Sequence, residues 1–116
     1  MIIDIKNLEA KHNPAFKGGD KEFVARMFTN ELGKIMLGHL EPGASIGLHR
    51  HEGNSEIMYL LNGEGTVLYD GKEEKLLPGQ VHYCPMGHEH SLRNDTADTP
   101  LDFFAVVPEH HVNENN

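Results

Sequence analysis

Residues 48–56 read LHRHEGNSE, and the chain on both sides of them is apolar enough to form buried strands. In an extended strand, residues two apart project from the same face. His49 and His51 therefore point together, with Arg50 on the opposite side. Glu52-Gly53-Asn54-Ser55 supplies a short turn. The chain re-enters strand at Glu56, where an antiparallel neighbour can aim its carboxylate at the same spot. Along that second strand Glu56, Met58 and Leu60 share a face, polar at one end and apolar beyond it. This is the pattern of a barrel interior with a site at one mouth.

Turn signals are frequent and evenly spread: Gly18-Gly19, Pro42-Gly43, Asn62-Gly63, Asp70-Gly71 and Pro78-Gly79. Between them lie segments of strand length, EFVARMFTN, KIMLGHL, EIMYLLN, GTVLYD, QVHYCP, HSLRN and LDFFAVVP. Many short strands at this spacing predict an all-β sandwich or barrel. Asn-Gly and Asp-Gly favour two-residue hairpin turns, so Glu56–Leu77 is expected to form an antiparallel meander. LEAKHNPAF (8–16) is expected to form at most one turn of helix before Pro14. One domain is expected over residues 1–116: an N-terminal strand or arm over 1–32 that covers a sheet edge, a barrel over 33–108, and a frayed polar tail over 109–116.

The chain has 116 residues, 38% hydrophobic and 24% charged, which suits a single folded domain and is too apolar for a disordered one. A net charge of −8 argues against a nucleic-acid partner and against an anionic membrane surface. Cys84 is alone, so no disulfide forms within the chain. With no apolar run long enough for a leader or a transmembrane helix, the expectation is a cytoplasmic protein. Histidine, at nine residues, is the outlier and hints at metal or acid–base chemistry.

A second histidine cluster, LPGQVHYCPMGHEHSLRN, occupies residues 77–94. His88 and His90 share strand parity, and Gly79, Pro85 and Gly87 mark sharp corners. The two clusters together resemble the cupin family. Its first motif asks for Gly, five residues, His-x-His, three or four residues, Glu, six residues and Gly, which Gly43, His49, His51, Glu56 and Gly63 fill. Its second asks for Gly, five residues, Pro-x-Gly, two residues, His, three residues and Asn, which Gly79, Pro85, Gly87, His90 and Asn94 fill. The short segment between Gly63 and Gly79 is similar to that of small single-domain bacterial cupins. The resemblance implies a double-stranded β-helix, or jelly-roll barrel. It also implies one divalent metal ion on His49, His51, Glu56 and His90.

Imidazoles with a carboxylate suit manganese, iron, nickel, copper or zinc, and three histidines with one glutamate leave an octahedral ion two open positions. His82, His88 and Tyr59 are the candidate proton-transfer groups, provided that they point inward. His39 could line the pocket or face solvent, and His110 and His111 could bind metal adventitiously. Asn94 reads as structural, Arg50 as a surface charge, and Cys84 as an unreactive thiol. Met36, Met58, Leu60, Phe103 and Phe104 are the expected core.

The expected function is binding, and transformation, of a small molecule with a carboxylate, hydroxyl or enol at the open metal. Dioxygenase, decarboxylase, isomerase and lyase chemistries fit such a site; metal-dependent binding or sensing without turnover is the alternative. The resemblance also implies a homodimer, with EFVARMFTN (22–30) the expected interface.

Overall fold

Period-two burial runs through most of the longer strands of the computed structural model, which describes residues 1–111. Ten strands form: β1 (Lys11–Pro14), β2 (Glu22–Asn30), β3 (Gly33–Leu40), β4 (Ser45–Arg50), β5 (Glu56–Asn62), β6 (Gly65–Tyr69), β7 (Lys72–Leu76), β8 (Val81–Cys84), β9 (Glu89–Arg93) and β10 (Leu101–Pro108). They make two antiparallel sheets, a six-stranded one of order β1-β2-β3-β10-β5-β8 and a four-stranded one of order β4-β9-β6-β7. Facing sheets with crossing connections are the jelly-roll arrangement expected from the sequence.

The core lies between the sheets. Met36 and Leu40 of β3, Met58 and Leu60 of β5, Val67 of β6, Leu92 of β9, and Leu101, Phe103, Ala105 and Val107 of β10 are all buried. Phe104, one residue from Phe103, necessarily faces the other way and is only half-buried on the outer side, so it does not belong to the expected core. At the centre the Phe103 ring stacks on Phe23 of β2, with centroids 5.8 Å apart. Phe103 pairs across the ladder with Gly38. Its ring occupies the space where a side chain at position 38 would stand.

The turn at Asp70-Gly71 closes the β6–β7 hairpin, with Tyr69 opposite Lys72. Both turn residues have left-handed φ, 47° and 83°, as a two-residue primed turn requires. The meander expected over Glu56–Leu77 is only half formed. β5 pairs with β8 and β10, not with β6, so Asn62-Gly63 is a crossing between sheets and not a hairpin. Residues 8–16 hold strand β1 where a helical turn was expected; the only helical turns among the described residues are two 3₁₀ turns at Ile5–Asn7 and Phe16–Gly18. β1 and β2 extend the larger sheet beyond β3.

Glu109, His110 and His111 are held down, through Glu109 N–H to Leu32 O, His110 Nε2 to Ser55 Oγ and His111 Nε2 to Glu31 O. For these three residues the expected fraying does not occur; the rest of that expectation, 112–116, lies outside the described residues. No helix among the described residues is long and apolar enough to cross a membrane.

Gly38→Ala places a methyl group into the Phe103 ring and forces an over-packed core. The expected outcome is a loss of about 2 kcal/mol of stability, read as a lower urea midpoint at unchanged slope.

Candidate metal centre

β4 and β9 lie side by side in the four-stranded sheet, and His49 pairs directly with His90 across their ladder. His51 follows the end of β4, where backbone bonds from His51 N–H to His88 O and from Gly87 N–H to His51 O fix it beside the β8–β9 turn. Glu56 opens β5 in the opposite sheet. The cluster therefore bridges the two sheets at one end of the core.

The donor atoms converge closely. His51 Nε2 and His90 Nε2 are 2.9 Å apart, and His90 Nε2 and His49 Nε2 are 3.2 Å apart. Glu56 Oε1 lies 3.2 Å from His51 Nε2 and 3.1 Å from His90 Nε2. All four donors fall within 4.8 Å of one another. With metal–ligand bonds of about 2.1 Å, neighbouring corners of an octahedron stand about 3.0 Å apart. The group could thus hold a metal ion. Glu56, His51 and His90 are buried, whereas His49 is partly open to the pocket.

The far side of each imidazole decides which nitrogen carries the proton. His49 Nδ1 faces the Gly47 carbonyl oxygen at 2.9 Å and His51 Nδ1 faces Asn54 Oδ1 at 2.7 Å, so both Nδ1 atoms donate. His90 Nδ1 meets His82 Nε2 at 2.9 Å. With Nδ1 occupied as a donor, each Nε2 turns a bare lone pair inward. Such lone pairs at 2.9–3.2 Å repel unless a proton or a cation lies between them. Electrostatics follow the same pattern. Where protons rather than a cation lie among the donors, the hydrogen bonds that His51 and His90 then give Glu56 outweigh its burial, which alone would raise the carboxyl, and hold it at about 2. Burial lowers His49. Burial opposes the charged form of His51 as well, yet its bonds to Glu56 and Asn54 raise it on balance.

The three candidate proton-transfer residues do not face the pocket that the donors open on to. Tyr59 has opposite parity to Glu56 and Met58 on β5; it points away from the core and is 42% exposed. His88 lies outside the cluster, bonded to Asp70 and stacked on Tyr69. His82 is buried but stands behind His90, with Nε2 committed to His90 Nδ1. Burial, and then the neighbouring His90, lower it to about 4, so it stays neutral. Its place is that of a residue that orients His90.

His39 also lies outside the site, on the outer face of β3, between Asp102 and Glu41. Asn94 is fully buried and ties Leu40 O to Thr99 O. Burial pushes the Cys84 thiol to about 11, which keeps it unreactive.

A cavity of about 240 Å³ opens on His49, His51 and Glu56, walled by Phe23, Met27, Met36 and Val107. Lys17, Lys34, Arg50 and Glu52 also line it. Lys17, Lys34 and Asn54 were not singled out from the sequence. A larger cleft of about 540 Å³, beside His82, Tyr69 and Gln80, is not lined by any of the four donors.

Two facing antiparallel sheets with a His₃–Glu cluster at one end of their core define a cupin-type barrel. The profile of the Cupin domain family matches residues 36–107, and the chain belongs to that family. An oxalate-binding protein of Thermotoga maritima is 46% identical over 68 residues, 59% of this chain and 55% of the relative. A quercetin 2,3-dioxygenase of Bacillus subtilis is 38% identical over 53 residues, 46% of this chain and 16% of the relative. The chain thus spans about half the length of the first relative. Among solved structures, a predicted oxalate decarboxylase of Thermotoga maritima superposes with a TM-score of 0.87 at 30% identity, covering 94% of this chain and 99% of that one.

A bound cation needs His51 free of its proton, and the folded-state value of His51 is raised above 6.5. Protons therefore compete as the pH falls through that value, whereas His49, lowered by burial, competes less. Apparent affinity for manganese(II) should fall by at least about tenfold per pH unit below that value, measured by metal titration between pH 8 and pH 5.

Proposed function

We propose that the protein holds one divalent first-row transition metal on His49, His51, Glu56 and His90, and binds a small carboxylate-bearing molecule at its open positions. The observation that carries this reading is the inward convergence of three Nε2 lone pairs and one carboxylate oxygen. Four donors leave an octahedral ion two adjacent or opposed positions for a ligand. When bound, the metal supplies a Lewis acid that polarises a carboxylate or carbonyl oxygen.

The chain's own residues do the rest. His82, Gly47 and Asn54 hold the imidazoles in the tautomer that exposes Nε2. Phe23, Met27, Met36 and Val107 give one wall of the cavity an apolar surface. The likeness to an oxalate-binding protein supports a carboxylate as the ligand class.

Turnover is the second reading. The observation in its favour is Glu52, the one carboxylate lining the cavity that does not belong to the donor set. Manganese-loaded protein should show a rise in melting temperature with oxalate, and the metal-free protein none. His51→Ala should remove both the metal, by elemental analysis, and the oxalate response. Consumption of oxalate in the same samples separates turnover from binding.

The partner we propose for the outer face of the larger sheet is a second copy of the chain. Ile57, Tyr59 and Leu61 of β5 and Val81 and Tyr83 of β8 are each 42–56% exposed. The ladders set Tyr59 beside Val81 and Phe104, and Ile57 beside Tyr83 and Val106. None of these residues is charged, in a chain of net charge −8, and the charged residues of the same face, Asp102 and Arg26, stand toward its margin. The three aromatic rings can each bury on the order of 100 Å² there. Their aliphatic neighbours bring the face near the roughly 800 Å² per partner of a stable interface.

This face is centred on β5, β8 and β10, and β2, the segment expected from the sequence, contributes only Val24, Arg26 and Phe28 at its margin. Tyr83→Lys should turn a dimer into a monomer by light scattering while leaving metal content unchanged.

A further inference from the structure

The segment between β1 and β2 is strained. Ala15, Lys17 and Lys21 all have left-handed φ, at 50°, 55° and 55°; only Asp70 shares this among the described non-glycine residues. Left-handed φ is unfavourable for a residue that carries a side chain, and strain of this kind persists only where the surroundings impose it. Here the surroundings are β4. Ser45 N–H donates to Asp20 O at 3.0 Å, and Asp20 N–H donates to Ser45 Oγ at 2.8 Å. The loop closes on itself through Ala15 N–H to Lys21 O at 2.8 Å.

Gly19 and Gly47 let the two backbones approach so closely that a side chain on either would overlap the other segment. Gly47 is also the residue whose carbonyl orients His49. The loop is thus fastened two residues from a metal-binding position.

The loop presents Lys17 to the cavity beside His51 and Glu56. Lys17 Nζ lies 5.7 Å from the Phe16 ring centroid, and it has no carboxylate within ion-pair distance among the described residues. The other cations of this part of the molecule are engaged elsewhere: Lys21 donates to Pro42 O, and Arg50 donates to Gly87 O and lies 3.7 Å from Glu89. Lys34 shares the cavity but sits in regular strand at the start of β3, with no strained segment to place it.

We propose that residues 15–21 are a ligand clamp in which the Lys17 ammonium takes the outer carboxylate of a small dicarboxylate whose other oxygens face the His₃–Glu donors. This rests on the carboxylate-binding reading given above. It goes beyond that reading by assigning discrimination between dianions and monoanions to Lys17. A ligand with two carboxylates satisfies the metal and the ammonium together, and a ligand with one carboxylate leaves Lys17 to solvent. Lys17 shares one cavity of about 240 Å³ with His49, His51 and Glu56, a space that suits a short dicarboxylate.

Calorimetric titration of the manganese-loaded protein with oxalate, malonate and acetate tests this. Lys17→Met should weaken oxalate or malonate about tenfold to hundredfold. It should leave acetate within about twofold and manganese content unchanged. Lys17→Arg should recover most of the loss, and Lys34→Met should cost far less than Lys17→Met. If the wild-type protein binds a dianion and Lys17→Met binds it equally well, the clamp is wrong and the carboxylate site stands. Equal losses in Lys17→Met and Lys34→Met would point to a diffuse field and overturn the assignment to Lys17. If the manganese-loaded wild type binds none of the three probes, the carboxylate reading fails and the clamp fails with it.

Discussion

Three imidazole nitrogens and a carboxylate oxygen crowded within hydrogen-bond distance of one another set the terms for this end of the molecule. Buried lone pairs at that separation are repulsive in a medium of low polarisability unless positive charge lies among them. The surrounding chain is arranged to keep them there. One ring is held by a carbonyl on its own strand, one by an amide side chain in the following turn, and one by a second histidine on β8 of the opposite sheet. Each partner occupies Nδ1 and so forces Nε2 inward.

The apolar core explains why the donors can be held so firmly. The two sheets interlock through residues such as Phe103, Leu40 and Leu60, which are fully buried. The side-chain alternation that fills the core leaves the donor positions at its end. Gly38 is part of the same solution, since the Phe103 ring fills the space above it. The strained loop at 15–21 uses the other side of the site. It is bonded to β4, and β4 carries His49, so the cavity mouth and the donor cluster are fixed to the same strand.

Much of this was legible in the sequence. The His-x-His spacing gives a shared face because strand parity is local, and Asp70-Gly71 gives a hairpin because both residues tolerate positive φ. The direction of Tyr59 was available too: the alternation that turns Glu56 and Met58 inward turns Tyr59 outward. Other features were not legible. Asn62-Gly63 carries the same turn signal as Asp70-Gly71, yet it joins strands in different sheets. His88 has the parity of His90, but the turn before it rotates its ring on to Tyr69 and Asp70. His82 reads as an inward candidate, and only packing shows that His90 stands between it and the donors.

The sequence by itself determined the shared face of His49 and His51, the strand alternation and the all-β class, because each depends on residue type and on spacing within a few positions; His90 joined the set only through the family resemblance. Tertiary structure alone decided which sheet each strand joined, which face of the larger sheet was left apolar and uncovered, and that Lys17 stands at the mouth of the cavity. Those outcomes depend on contacts between segments more than twenty residues apart, such as Asp20 with Ser45, and no local pattern encodes the partner of a backbone hydrogen bond.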